Sequence, residues 1–376
     1  MTISLWLGEE RLLLPVRRTS GRVDVAVIGG GVTGCACAHV LARAGLKVRL
    51  HDAREIAGGA SGRNGGFALR GGAPPYDAAR EQLGLEPARA LWSLTERYLH
   101  RLAELAGDAF RRTGSVRLAA DDGERGELEA EYEALRADGF AVEWRDELPA
   151  ALAGRFAVAI FNPPDGALQP ARWVRRLAAR AAEAGAELRE HERVESFELA
   201  DADQVVVATD GYTAGLLPEL DAAVTPTRGQ VVATEPLPRR LFPCPHYARH
   251  GYDYWQQTPD GRLVVGGSRD RAFDEEQTPD EETTPAIQGH LERFVEALLG
   301  EHPRITHRWA GIFGTTEDRL PLVGRMPRHD GVWVSVGYSG HGNVLGLACG
   351  ELVARAILGE APAELELFDP ARLVAA

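Results

Sequence analysis

Three glycines and one acid carry the clearest chemistry in this chain. Gly29-x-Gly31-x-x-Gly34, followed by Asp52, supplies the residue types needed to hold a diphosphate and a ribose. One glycine permits a tight turn, one lets a pyrophosphate approach bare backbone, and one lets a helix pack close on a strand. Val32 and Thr33 begin the helix whose unpaired amides would meet the phosphates. Asp52 stands 18 residues beyond Gly34 (52 − 34), where a carboxylate can accept hydrogen bonds from ribose hydroxyls.

The elements needed to position those groups are legible around them. The β-branched run Val23 to Ile28 predicts a strand, small residues with helical character follow the glycines, and Val48-Arg49-Leu50 predicts a second strand ending at the acid. Strand, glycine turn, helix, strand and acid in that order make a βαβ dinucleotide fold and predict an ADP-containing cofactor.

Two further glycine-rich surfaces are available to such a cofactor. The stretch 58–66 is too rich in glycine for a regular element, and its Ser61, Arg63, Asn64, Gly65 and Gly66 are candidate contacts. Gly340, His341, Gly342 and Asn343 precede a helix predicted from about Val344 to Leu358, whose positive end could face a cofactor ring. A run ending in Val194, and the apolar strand Asp203 to Val207 leading to Thr209 and Gly211, add candidates from the parallel sheet.

From Val224 to Val265 the pattern changes to alternating strands, with Thr258-Pro259-Asp260-Gly261 as a turn between Tyr252-Asp253-Tyr254-Trp255 and Leu263-Val264-Val265. This predicts an antiparallel sheet on which Tyr254 or Trp255, but not both, faces the site. Gln256 and Arg269 join Tyr254 and His341 as candidates around the reacting face. Helices are predicted from Pro87 to about Gly107, Glu124 to Ala137, Ala171 to Ala184, and Pro285 to Gly300 with Thr284 as N-cap.

Composition narrows the class. The chain has 376 residues, enough for two domains, and 42 basic against 55 acidic residues give a formal charge of −13, which disfavours nucleic acid and anionic lipid as partners. Cys35, Cys37, Cys244 and Cys349 form no C-x-x-C pair and read as small buried thiols. Leu12-Leu13-Leu14 is too short to span a membrane and lacks a signal-peptide profile. A reducing, cytoplasmic setting is expected, with no metal site and with oligomeric state left open.

Taken together, VDVAVIGGGVTG (23–34), ASGRNGG (60–66), GALQPARWVRRL (166–177), ADQVVVATDGYT (202–213), PTRGQ (226–230), DYWQQTPDGRLVVGG (253–267), WAGIFGTTEDRLPLVG (309–324) and GYSGHGN (337–343) resemble the glycine/sarcosine/D-amino-acid oxidase (DAO) superfamily of flavoproteins from about Val23 to Ala371. The ASGRNGG form is most similar to γ-glutamylputrescine oxidase-like members. The resemblance implies an α/β fold: a Rossmann-like FAD-binding domain of the glutathione-reductase type with an inserted substrate domain of antiparallel sheet plus helices. The expected division is 1–72, 155–222 and 306–376 for FAD, and 73–154 and 223–305 for substrate.

The resemblance further implies oxidation of an amine or amino acid, such as a secondary amine or N-substituted amino acid, to an imine that water hydrolyses, with O2 reduced to H2O2. A dehydrogenase passing electrons to a quinone or protein, and a non-catalytic FAD-binding assembly subunit, stay open as alternatives. Departures from the family pattern are equally informative. Sarcosine-oxidase-type members attach flavin through a cysteine that Gly311 to Thr316 lacks, and dimethylglycine-dehydrogenase-type members have a histidine where Arg63 stands, so noncovalent FAD is expected. Val344 replaces a family lysine. Phe313 stands where glycine-oxidase-type members keep an arginine for the substrate carboxylate, leaving Arg63, Arg228, Arg249 and Arg269 as candidates for that anchor.

Overall fold

The computed structural model describes residues 3–9 and 21–374; Leu12-Leu13-Leu14, and the parts of the domain division at 1–2, 10–20 and 375–376, lie outside them. β-Branched residues buried on both faces build a six-stranded sheet in the order Leu322–Arg325, Val332–Val336, Ala202–Val207, Val23–Ile28, Val48–His51, Glu187–Arg189. All neighbours pair in parallel except the edge strand Leu322–Arg325. Ile28 lies in register with both His51 and Val207, so Gly29, Asp52 and Thr209 emerge together at one edge. That edge is the carboxyl end of the parallel strands, where sheets of this kind bind ligands. The strand expected to end at Val194 is shorter, Glu187–Arg189, and Val194 sits in the loop beyond it.

The helices Val32–Arg43, Pro170–Glu183 and Gly342–Ile357 pack together over this sheet. Cys35, Cys37 and Cys349 are buried in the packing and Cys244 is buried elsewhere; all four are free thiols.

An eight-stranded sheet forms the second layer, in the order Ile305–Thr315, Thr225–Pro236, Arg262–Gly267, Asp253–Gln257, His246–Ala248, Ser115–Leu118, Ala159–Asn162, Glu143–Arg145. It is antiparallel apart from one parallel pair, His246–Ala248 with Ser115–Leu118. Ala159–Asn162 and Ile305–Thr315 hydrogen-bond here, although the expected boundaries at 155 and 306 group them with the cofactor segments. The helices Leu85–Ala106 and Asp122–Ala137 match the sequence expectation to within two residues; Tyr76–Leu83, between two prolines and Gly84, was not expected. Among the described residues, no helix is long and apolar enough to cross a membrane.

Candidate functional site

The glycine turn is built as its residue types require. Gly29 has φ +114°, a conformation side chains avoid. A Cβ on Gly34 would fall 1.9 Å from the Gly29 carbonyl oxygen, so glycine there sets how closely the helix meets the strand end. Gly34 is therefore a packing residue and does not line the cavity, a correction to its place among the contacts. Gly29, Gly31, Val32 and Thr33 do line it. The first amides of Val32–Arg43 have no intrahelical partner, and one is met by the side chain of Ser61, whose Oγ accepts from Val32 N at 3.0 Å. Asp52 is already engaged: its two oxygens accept from Gly30 N and Arg54 N, both at 2.7 Å. A carboxylate has further lone-pair sites, and Asp52 lines the cavity. Burial raises its pKa, opposed by those two amides.

The 58–66 loop is held by its own polar side chains. Asn64 Nδ2 donates to Ala60 O and Ser61 O, and Asn64 Oδ1 accepts from Gly66 N at 2.8 Å and from Asn343 Nδ2 at 3.1 Å. Asn343 also donates to Phe67 O at 2.7 Å, tying the loop to the last helix. Arg63 is buried and donates to Gly58 O and Ala310 O, with Glu281 3.9 Å away. It lines the cavity as a brace between loop and strand.

Three expectations are corrected here. Gln256 is fully buried and does not line the cavity; its Nε2 donates to Gly65 O at 2.6 Å and Gly66 O at 2.8 Å, clamping the loop from beneath. Gly66 is also interior, since a Cβ would fall 2.3 Å from Gln256 Nε2. Gly211 likewise packs, against the backbone of Phe313, while Val194 and Thr209 line the cavity.

At the far end, Gly340, His341, Gly342 and Asn343 all line the cavity where the helix Gly342–Ile357 begins. Burial pulls the His341 imidazole pKa down to about 4, opposed by the Ser339 backbone, so the ring is neutral. Tyr254 faces the cavity, and its strand neighbour Trp255 turns into the opposite core, stacked on His246 with centroids 5.4 Å apart. Burial pushes the Tyr254 hydroxyl up to about 12, with Arg269 opposing. The same Arg269 charge acts on His341, so the three groups share one region.

The four candidate arginines separate cleanly. Arg228 is buried in a two-pronged pair with Glu276, and Arg249 bridges Asp253 at 2.9 Å and Asp270 at 2.7 Å. Arg63 braces the loop. Among the described residues, only Arg269 of the four lacks a carboxylate partner. Its guanidinium lies 4.6 Å from the Tyr252 ring centre and 5.6 Å from that of Phe313, and it lines the cavity.

Sequence reasoning passed over Asp210, whose carboxylate accepts from the backbone amides of Gly314, Gly337 and Tyr338 and so joins three segments around the site. Its signal was its place between Thr209 and Gly211. Tyr212 was also missed: it carries Arg54 on its ring, at 4.5 Å, and donates to Glu281.

One cavity of about 1050 Å³ joins all of this, from the Gly29 turn past the 58–66 loop to the 340–343 turn. Pockets for drug-sized ligands run to about 300–1,000 Å³, so the space, at or above the top of that range, suits a dinucleotide with a small substrate beside it. No cysteine lines it among the described residues. Bare amides at one end, a Gly-rich middle and a helix start at the other fit FAD.

The family described as "DAO: FAD dependent oxidoreductase" matches residues 24–356. The chain is 32% identical to "Probable oxidoreductase OrdL" of Rhizobium meliloti (strain 1021), over 97% of this chain and 90% of that one. It is 29% identical to gamma-glutamylputrescine oxidoreductase of Escherichia coli (strain K12), over 92% and 85%. The crystal structure of glycine oxidase from Geobacillus kaustophilus superposes with TM-score 0.77 at 25% identity, covering 95% of this chain and 99% of that one.

Proposed function

The chain belongs to the DAO family of FAD-dependent oxidoreductases, and from that premise we propose that it oxidises a secondary amine or N-substituted amino acid to an imine, which water hydrolyses to a carbonyl product. It is an enzyme acting on amines or amino acids, as relatives named gamma-glutamylputrescine oxidoreductase and glycine oxidase do. The observation that carries the finer reading is Arg269, a cation without a carboxylate partner among the described residues, standing beside Tyr254 in the cavity that begins at the dinucleotide turn.

FAD would be held noncovalently by the Gly29–Thr33 turn, Asp52, the 61–65 loop and the 340–343 turn, and its chemistry when bound is a two-electron sink for hydride leaving the carbon beside the substrate nitrogen, with O2 as final acceptor. Arg269 binds the substrate carboxylate through its two-pronged face. Tyr252 and Phe313 stack on the guanidinium and hold it in place. Tyr254, protonated up to about pH 12, presents a hydroxyl that can donate to substrate or accept from its ammonium. His341, neutral above about pH 4, leaves no competing cation at the helix start. Aromatic walls exclude water around the reacting carbon. We place the six-stranded sheet with FAD and the eight-stranded sheet with substrate, and the free buried thiols fit a reducing, cytoplasmic setting.

Anaerobic addition of N-methylglycine and longer N-alkylglycines to the yellow holoenzyme should bleach its visible flavin band, and air should restore it with peroxide release. If no such amine bleaches the band, the reading is wrong.

A further inference from the structure

We propose that the cavity continues past Tyr254 into a subsite for the distal carboxylate of an extended substrate, whose N-substituent runs along the sheet to Arg117; this rests on the amine-oxidising reading above. Gly266, Tyr254, Tyr247 and Arg117 are successive cross-strand partners on four neighbouring strands. Their side chains therefore share one face of the eight-stranded sheet, and that face lines the cavity at all three side-chain-bearing positions. The other face, with Val116, Leu118, Ala248 and Trp255, is buried core. Gly266 leaves the row's first place open, and the Tyr254 ring lies over it: a Cβ there would fall 2.3 Å from the ring.

Beyond Tyr247 the lining becomes charged while remaining interior. Arg70, Arg117, Glu131, Asn162 and Asp165 are all buried, yet all face this cavity. Its carboxylates already have donors, while several of its donors have no partner among the described residues. Glu131 accepts from Arg117 and from Tyr76 N, and Asp165 accepts from Arg70 N at 2.8 Å and Ser115 Oγ at 2.6 Å, so every carboxylate oxygen is engaged. Arg117 has only Glu131 as hydrogen-bond partner among the described residues, leaving most of its N–H groups over. Asn162 accepts from Arg70 through Oδ1, with its amide hydrogens left over, and no described residue hydrogen-bonds the Tyr247 hydroxyl. The chamber therefore holds donors without partners, on Arg117, Asn162 and Tyr247, and a carboxylate supplies two oxygens in the geometry a guanidinium matches.

Strands lie about 4.8 Å apart, so Arg117 is roughly 10 Å beyond Tyr254 along the sheet, the reach of about eight to nine bonds of extended chain. The holoenzyme should be assayed with N-(ω-carboxyalkyl)glycines carrying one to eleven methylenes and with N-alkylglycines of equal length. We expect kcat/KM to peak at about seven to eight methylenes, at least tenfold above both the shortest member and the uncharged analogue. Tyr247→Phe and Arg117→Met should each cut the ratio of the best long substrate to N-methylglycine about tenfold. Should Arg117→Met not fold, Tyr247→Phe carries the test, together with the rise in Tm that straight-chain dicarboxylates of matching length give in the wild type and lose in that variant. A flat length profile with N-methylglycine still oxidised overturns the subsite and leaves the amine reading standing. If no amine is oxidised, that reading falls, and a Tm indifferent to dicarboxylate length then overturns the subsite as well.

Discussion

Among the described residues Arg269 packs on aromatic faces and has no carboxylate partner, so the loss of its charge should be felt chiefly in substrate binding. A hydrogen bond to a charged group contributes about 1.5–3 kcal/mol, so Arg269→Met should raise KM for carboxylate-bearing amines roughly 10- to 150-fold. FAD content and Tm should stay near wild type because no described residue depends on the guanidinium for a salt bridge. Unchanged KM would remove Arg269 from the site. In the sequence it could not be told from Arg63, Arg228 or Arg249. What separates them is pairing over long stretches of chain, Arg228 with Glu276 and Arg63 with Ala310 O, which no local spacing encodes. Parity did place Tyr254 and Gln256 on one strand face; that the 65–66 backbone lies against Gln256, two residues along, depends on how two loops meet.

At the scale of elements, the glycine turn was legible because each position is fixed by local geometry. Gly34→Ala would put a carbon 1.9 Å from the Gly29 oxygen, forcing helix and strand apart. Overpacking of this kind costs about 1–3 kcal/mol, which should lower Tm by several degrees and, more tellingly, weaken FAD retention on gel filtration. A variant that keeps its flavin and its Tm would show that the close approach does not set the phosphate cradle. The strand Val332–Val336 and the hairpin Asp253–Gln257 with Arg262–Gly267 were equally readable, having enough residues for a pattern. The three-stranded sheet of Phe67–Ala68, Gly166–Leu168 and Phe110–Arg111 was not: strands of two or three residues carry no periodicity, and tertiary pairing alone defines them.

Over the whole molecule, the two sheets meet at the cavity, and titration of groups buried in and around them should couple pH to stability. Burial pulls both His246 and His341 from 6.5 down to about 4, so the unfolded chain takes up these protons first as pH falls. Their contribution is complete above about pH 6.5 and is lost as pH drops toward 4. Asp165 works in the other direction. Burial raises it from 3.8 to about 6, so its contribution is greatest below the unfolded value and is lost as pH rises through 6. Burial likewise raises Asp52, Asp210 and Asp253 and lowers His39 and His51, so the pH dependence is best read one group at a time. His246 isolates the effect because it lies in the core of the eight-stranded sheet, away from the cavity, with Nδ1 donating to Cys244 O and its ring stacked on Trp255. In His246→Phe the stacking surface remains and the titration is gone. The drop in unfolding free energy between pH 7 and pH 4.5, measured on holoenzyme in urea, should shrink by on the order of 2 kcal/mol relative to wild type. An identical drop in both proteins would mean that the histidine is already protonated in the fold or already neutral in the unfolded chain, and either result contradicts a neutral imidazole held there by burial.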